Sequence, residues 1–84
     1  MEQVTYCERM RAVREMARLS QEELSELSGV PRTSISRYER GETTPSLSNM
    51  IDIAKVLRLT LGQLVGTEPL PKGWVLQWEE RHYE

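Results

Sequence analysis

The stretch from Ser20 to Gly41 constrains the chain most, because its caps and breakers fall where only two short helices and a tight turn satisfy them. Ser20 is a good N-cap, and Glu23 three residues on completes a capping box, so a helix begins at Gln21. It runs through Leu24, Ser25 and Leu27 to Ser28, where Gly29 supplies the positive φ common at a helix exit. Val30 is biased away from helical angles by the proline after it, and Pro31 suits the first turn of a new helix. That helix spans about residues 31–39, with Ile35 facing inward and Tyr38 covering the seam with the first or second helix. Arg32, Thr33, Ser36 and Arg37 fall on its other side.

The flanking segments are helical too. Tyr6, Met10, Val13 and Ala17 recur at helical spacing among Arg9, Arg11, Arg14, Glu15 and Arg18, and Leu19 interrupts the pattern before Ser20. Gly41 ends the third helix, and Glu42-Thr43-Thr44-Pro45 reads as an exposed loop. Ser46 caps a fourth helix in which Leu47, Met50, Ile51, Ala54 and Leu57 form a wide apolar stripe expected in the core. Thr60 caps a short fifth helix with Leu61, Leu64 and Val65, closed by Gly66. Five short helices and no strand in the first 66 residues give an all-α bundle.

A chain of 84 residues, 38% hydrophobic and 29% charged, holds one small domain, which is marginal alone and gains from dimerisation. No apolar run approaches a membrane span and no signal-peptide core precedes the first helix, so a cytoplasmic protein is expected. Cys7 and His82 are the only residues of their kinds, which excludes an internal disulfide and leaves too few ligands for structural zinc. Cys7 reads as a quiet thiol on the first helix. With no phosphate loop and no paired carboxylates in an apolar setting, no enzyme and no cofactor are expected.

The net charge of −2 argues against a polyanionic partner until its distribution is considered. Residues 1–65 carry nine basic and nine acidic groups, whereas Lys72 and Arg81 stand against Glu68, Glu79, Glu80 and Glu84. The acidity belongs to the tail. Between residues 32 and 40, Arg32, Arg37 and Arg40 face only Glu39, so a local positive patch survives. A short helix, a tight turn and a second helix with arginines on its outward side form a shape that enters the major groove of DNA.

Residues 1–66 thus form one domain, with the helix-turn-helix at about 21–40, and residues 67–84 form a C-terminal arm. Glu68-Pro69-Leu70-Pro71-Lys72-Gly73 is a stiff connector, and Trp74-Val75-Leu76-Gln77-Trp78 concentrates apolar bulk. Trp74, Leu76 and Trp78 share a face if the arm is a strand, and the tryptophans stack if it is a helix. An unstructured tail is the third alternative. The two tryptophans are expected either to pack back on the bundle or to be buried in a partner, foremost a second copy of the chain.

The residues resemble a known family, the lambda-repressor-like, XRE/Cro-type helix-turn-helix domains. The resemblance covers about residues 6–66 and is carried by Arg14, by Leu19-Ser20-Gln21-Glu22-Glu23-Leu24 and by Gly29-Val30. It continues through Ile35-Ser36-Arg37-Tyr38-Glu39-Arg40-Gly41, Pro45-Ser46-Leu47 and Ile53-Ala54-Lys55. It implies a five-helix all-α bundle with a C-terminal extension, in which one strand is an option.

By resemblance, Gln21 at a helix N-terminus approaches a DNA phosphate, and Arg32, Thr33, Ser36 and Arg37 face base edges. Arg40, the Gly41 backbone and Thr43 or Thr44 fit loop contacts to phosphate, which position without specifying. Arg14 and Glu39 are implied as an ion pair joining the first helix to the end of the third. The sequence departs from the pattern at Arg18 and Arg58, where relatives often have glycine. Ser25 is small enough for close helix approach and is expected to bond the backbone one turn back.

The reading is a sequence-specific regulator of transcription, a repressor binding a palindromic operator on double-stranded DNA as a homodimer, without cofactor or membrane. Restriction-modification controller proteins are a similar group within that class. The alternative from another class is an antitoxin-type interaction module whose C-terminal arm binds a partner protein.

Overall fold

The computed structural model describes residues 6–74. Among the described residues five helices follow one another: α1 (Tyr6–Met16), α2 (Gln21–Ser28), α3 (Arg32–Glu39), α4 (Leu47–Leu57) and α5 (Leu61–Val65). Among the described residues there is no strand, and no helix is long and apolar enough to cross a membrane.

Side chains at the N-termini satisfy backbone N–H groups that a helix leaves unpaired. The Glu23 N–H donates to Ser20 Oγ at 3.0 Å while Glu23 Oε1 accepts from the Ser20 N–H at 2.9 Å. Thr60 and Gln63 repeat this reciprocal box on α5, and Ser46 Oγ accepts from the Asn49 N–H on α4. Gly29, at φ 80°, ends α2 in the left-handed conformation. Arg18 and Arg58 adopt the same conformation at φ 60° and 59°, so the turn expected of glycine forms with a non-glycine residue in place.

Packing follows the order of the helices. α1 lies against α3 and α5, α2 against α3 and α4, and α4 against α5. Met10, Val13, Leu24, Val30, Ile35, Ile53 and Leu64 are fully buried at their centre. Leu70 and Trp74, beyond the last helix, pack against this cluster, so Trp74 sits half-buried on its own bundle. Leu76, Trp78 and His82 lie outside the described residues.

The apolar stripe on α4 is narrower than its sequence suggests and is rotated. Leu47 is 60% exposed and Ile51 39%, whereas Ile53 is fully buried with Ala54 and Leu57. At 100° per residue, positions 50, 53, 54 and 57 cover one arc that meets α2 and α5, and positions 47 and 51 fall on its margin. Ser25 also differs from expectation. Its Oγ donates forward to the Val30 carbonyl at 2.6 Å rather than one turn back, tying the end of α2 to the turn that follows Gly29. Arg9 is buried as well, and its Nε donates to the Gln63 carbonyl at the end of α5 at 2.9 Å.

Candidate nucleic-acid interface

Ile35 and Tyr38 hold α3 from beneath. Ile35 is fully buried, and the Tyr38 hydroxyl accepts from Asn49 Nδ2 at 2.8 Å, reaching α4 in addition to the helices α3 packs against. With one face so held, the opposite face is presented outward by helical spacing. Arg32, Thr33, Ser36, Arg37 and Arg40 line one open depression there, with all but the half-buried Ser36 exposed. Neither Arg32 nor Arg37 makes an ion pair or side-chain hydrogen bond among the described residues, so both guanidinium groups face solvent.

A buried carboxylate anchors the C-terminal end of the same helix. Glu39 Oε2 accepts from Arg14 Nε at 2.7 Å, and Oε1 accepts from Arg14 Nη2 at 2.9 Å. Arg14 Nη1 donates to the Leu19 carbonyl at 2.8 Å, joining α1, the turn before α2, and α3. The hydrogen bonds it donates to Glu39 push the Arg14 guanidinium above its ordinary pKa, against the opposing effect of burial, and the charges of Glu39 and Glu15 add to it. Gln21 enters the same network, its Nε2 donating to Glu39 Oε1 at 3.0 Å. Its amide is thereby fixed beside the N-terminus of α2.

Beyond α3, Arg40 Nε lies 2.7 Å from Glu42 Oε2, and Thr43 and Thr44 are exposed in the loop. The structure therefore brings Arg32, Thr33, Ser36, Arg37 and Arg40 onto one surface. Gln21 and Arg14 come together at Glu39, below that surface. Two participants escape the sequence pattern. Glu42 reads only as a loop residue, although its place two positions after Arg40, across Gly41, is the signal of a local pair. The link from Gln21 to Glu39 has no sequence signal beyond the capped start of α2.

The helix-turn-helix family model matches residues 10–64. The chain belongs to this family. Control protein C.SmaI of Serratia marcescens is 40% identical over 63 residues, covering 75% of each chain. The restriction-modification controller protein C.AhdI of Aeromonas hydrophila superposes with a TM-score of 0.68 at 36% identity, over 70% of this chain and 89% of that one. The P22 c2 repressor, in complex with a synthetic operator, superposes at 0.72 with 30% identity, over 79% of this chain and all of the repressor chain. Longer relatives also match; this chain covers 28% of the length of an uncharacterized HTH-type transcriptional regulator of Sinorhizobium fredii, at 41% identity over 54 residues. These relatives are regulators of transcription, and the fold is of the lambda-repressor type.

Proposed function

We propose that this helix-turn-helix protein is a sequence-specific transcriptional repressor that binds a palindromic operator on double-stranded DNA as a homodimer. The observation that carries the reading is the exposed face of α3, where Arg32 and Arg37 point outward without internal partners among the described residues while Ile35, Tyr38 and Glu39 fix the helix below. An arginine there can bond O6 and N7 of guanine, worth about 1–3 kcal/mol of discrimination per good pair. Thr33 and Ser36 are short enough to meet a thymine methyl or a backbone oxygen. Gln21, Arg40, Thr43 and Thr44 are the phosphate contacts, and the amide of Gln21 is held for this role by Glu39.

Selection of bound duplexes from a random pool tests the reading. An enriched palindrome is expected, and Arg37→Ala should relax preference at one position in each half-site, whereas Gln21→Ala should weaken all sequences alike. Steep salt dependence without any enriched motif would leave only non-specific binding. A two-fold dimer spaces its recognition helices by about 34 Å, and we assign the contact to Leu76 and Trp78 in the arm beyond Trp74. Because Trp74 packs on its own core, removal of residues 75–84 is the suitable truncation; a monomer with weakened operator binding is expected, and an unchanged sedimentation profile would count against the assignment.

Within this class the controller-protein reading is favoured by the 40% identity to C.SmaI over three quarters of both chains. A selected operator lying upstream of the chain's own gene and a neighbouring restriction enzyme gene would support it.

A further inference from the structure

We propose that Glu42 is an intramolecular competitor for the DNA phosphate bound by Arg40, lowering affinity for every duplex alike and flattening the salt dependence of binding. The inference rests on the DNA-binding reading above.

The exit of α3 places Glu42. Gly41, at φ 74°, donates its N–H to the Tyr38 carbonyl at 3.1 Å, and the Glu42 N–H donates to the Arg37 carbonyl at 2.9 Å. This closes the helix and leaves the side chain of Glu42 beside Arg40. Arg40 Nε donates to Glu42 Oε2 at 2.7 Å and Nη2 donates to Oε1 at 3.3 Å. Two oxygens on one guanidinium edge are the arrangement by which arginine takes a carboxylate or a phosphate, so the carboxylate occupies the edge a phosphate would use.

Arg40 also lines the depression with Arg32, Thr33, Ser36 and Arg37. Among the described residues, it is the one of the three arginines on that surface already committed to an internal anion. The pair is exposed, with side-chain exposures of 58% and 52%, so water and ions reach it and the carboxylate can be exchanged. The hydrogen bond from Arg40, joined by the charges of Arg40 and Arg37, holds the Glu42 carboxyl below the usual carboxylate range, so it is ionised at neutral pH. The influence of Arg37 places this negative charge within the field of the reading face.

A phosphate taking that Nε/Nη2 edge of Arg40 must displace one anion, and the displaced carboxylate then stands against a polyanion. Both effects concern the phosphate backbone, which carries no sequence information, so they act on all duplexes alike. Arg32 and Arg37 carry no such partner among the described residues, and base preference is untouched.

The test uses the full chain, a fluorescent mixed-sequence duplex and anisotropy titrations from about 50 to 200 mM salt. E42Q should bind about 3- to 10-fold tighter at the lowest salt, with a salt slope steeper by up to about 0.9, the share of one phosphate. In an R40A background the gain from E42Q should fall to less than half, since no guanidinium is left to release. Binding by E42Q within twofold of wild type at every salt would overturn the proposal, as would an equal gain with and without Arg40. If R37A weakens binding and E42Q is neutral, the competition alone fails. If neither wild type nor E42Q binds the duplex, the DNA-binding reading fails with it.

Discussion

Two arginine–glutamate pairs in this domain share the same Nε to Oε2 separation, 2.7 Å, in opposite surroundings. The side chains of Arg14 and Glu39 are 10% and 3% exposed, whereas those of Arg40 and Glu42 are 58% and 52% exposed. The first pair joins residues 25 positions apart and ties α1 to the end of α3; the second joins near neighbours in a loop. Distance does not separate them; access of water does. When a buried pair loses one member, the other charge is stranded without solvent, while either member of an exposed pair is satisfied by water. One pair is therefore committed to holding α3, and the other is available for exchange with a ligand.

The largest expected effect breaks the buried pair. Arg14→Ala leaves Glu39 uncompensated and should cost about 3–5 kcal/mol, which for a domain of this size lowers Tm by at least about 12 °C. A thermal melt near that of wild type would show that the pair does not hold the fold. The double substitution Arg14→Met with Glu39→Leu should regain much of the loss, because apolar groups of similar volume remove both charges at once. A double variant no more stable than Arg14→Ala would mean that the hydrogen bonds to Leu19 and Gln21 matter more than the stranded charge.

A smaller effect probes the third donor to Glu39. Gln21→Ala removes the hydrogen bond from Nε2 and should destabilise by about 0.5–1.5 kcal/mol, while weakening binding to all duplexes. Tyr38→Phe serves as the matched control, since it removes a hydrogen bond of similar type to Asn49 without touching the proposed phosphate contacts. A loss of affinity for both variants, beyond what their melts explain, would mean that Gln21 acts on DNA only through the placement of α3.

Most of the fold is legible in the sequence because its determinants are local. Ser20, Glu23, Gly29, Ser46, Thr60 and Gly66 act within a turn of themselves, and α2, α4 and α5 begin, and α2 and α5 end, where they predict. Ile53 and Leu47 both suit an apolar helix face, and only the approach of α2 and α5 decides which arc of α4 is covered. Arg9 stands in sequence among the charged residues around the apolar face of α1, and its burial depends on the end of α5, more than fifty residues away. The outward face of α3 is legible through period and residue type. The engagement of Arg40 by Glu42 and of Gln21 by Glu39 is not, since each is a choice of rotamer made after the backbone is set.

The smallest expected effect falls on the exposed pair, and its sign can be worked out with pH. The folded-state pKa of Glu42 is lowered, first by its hydrogen bond with Arg40, so its contribution to stability is present above the ordinary glutamate value of about 4.3 and fades as pH falls through the folded value. Glu23 behaves with the same sign, its carboxyl lowered by the Ser20 backbone N–H, so wild type alone cannot separate the two. The useful measurement is the difference in Tm between wild type and Glu42→Gln as a function of pH. That difference should be below about 4 °C at neutral pH, shrink with added salt, and vanish in acid, where both side chains are neutral. The Arg14→Ala deficit should persist across the same salt series, because the low exposure of that pair keeps ions out. A Glu42→Gln difference that also resists salt would place Glu42 among the groups that hold the helix and would remove the distinction between the two pairs.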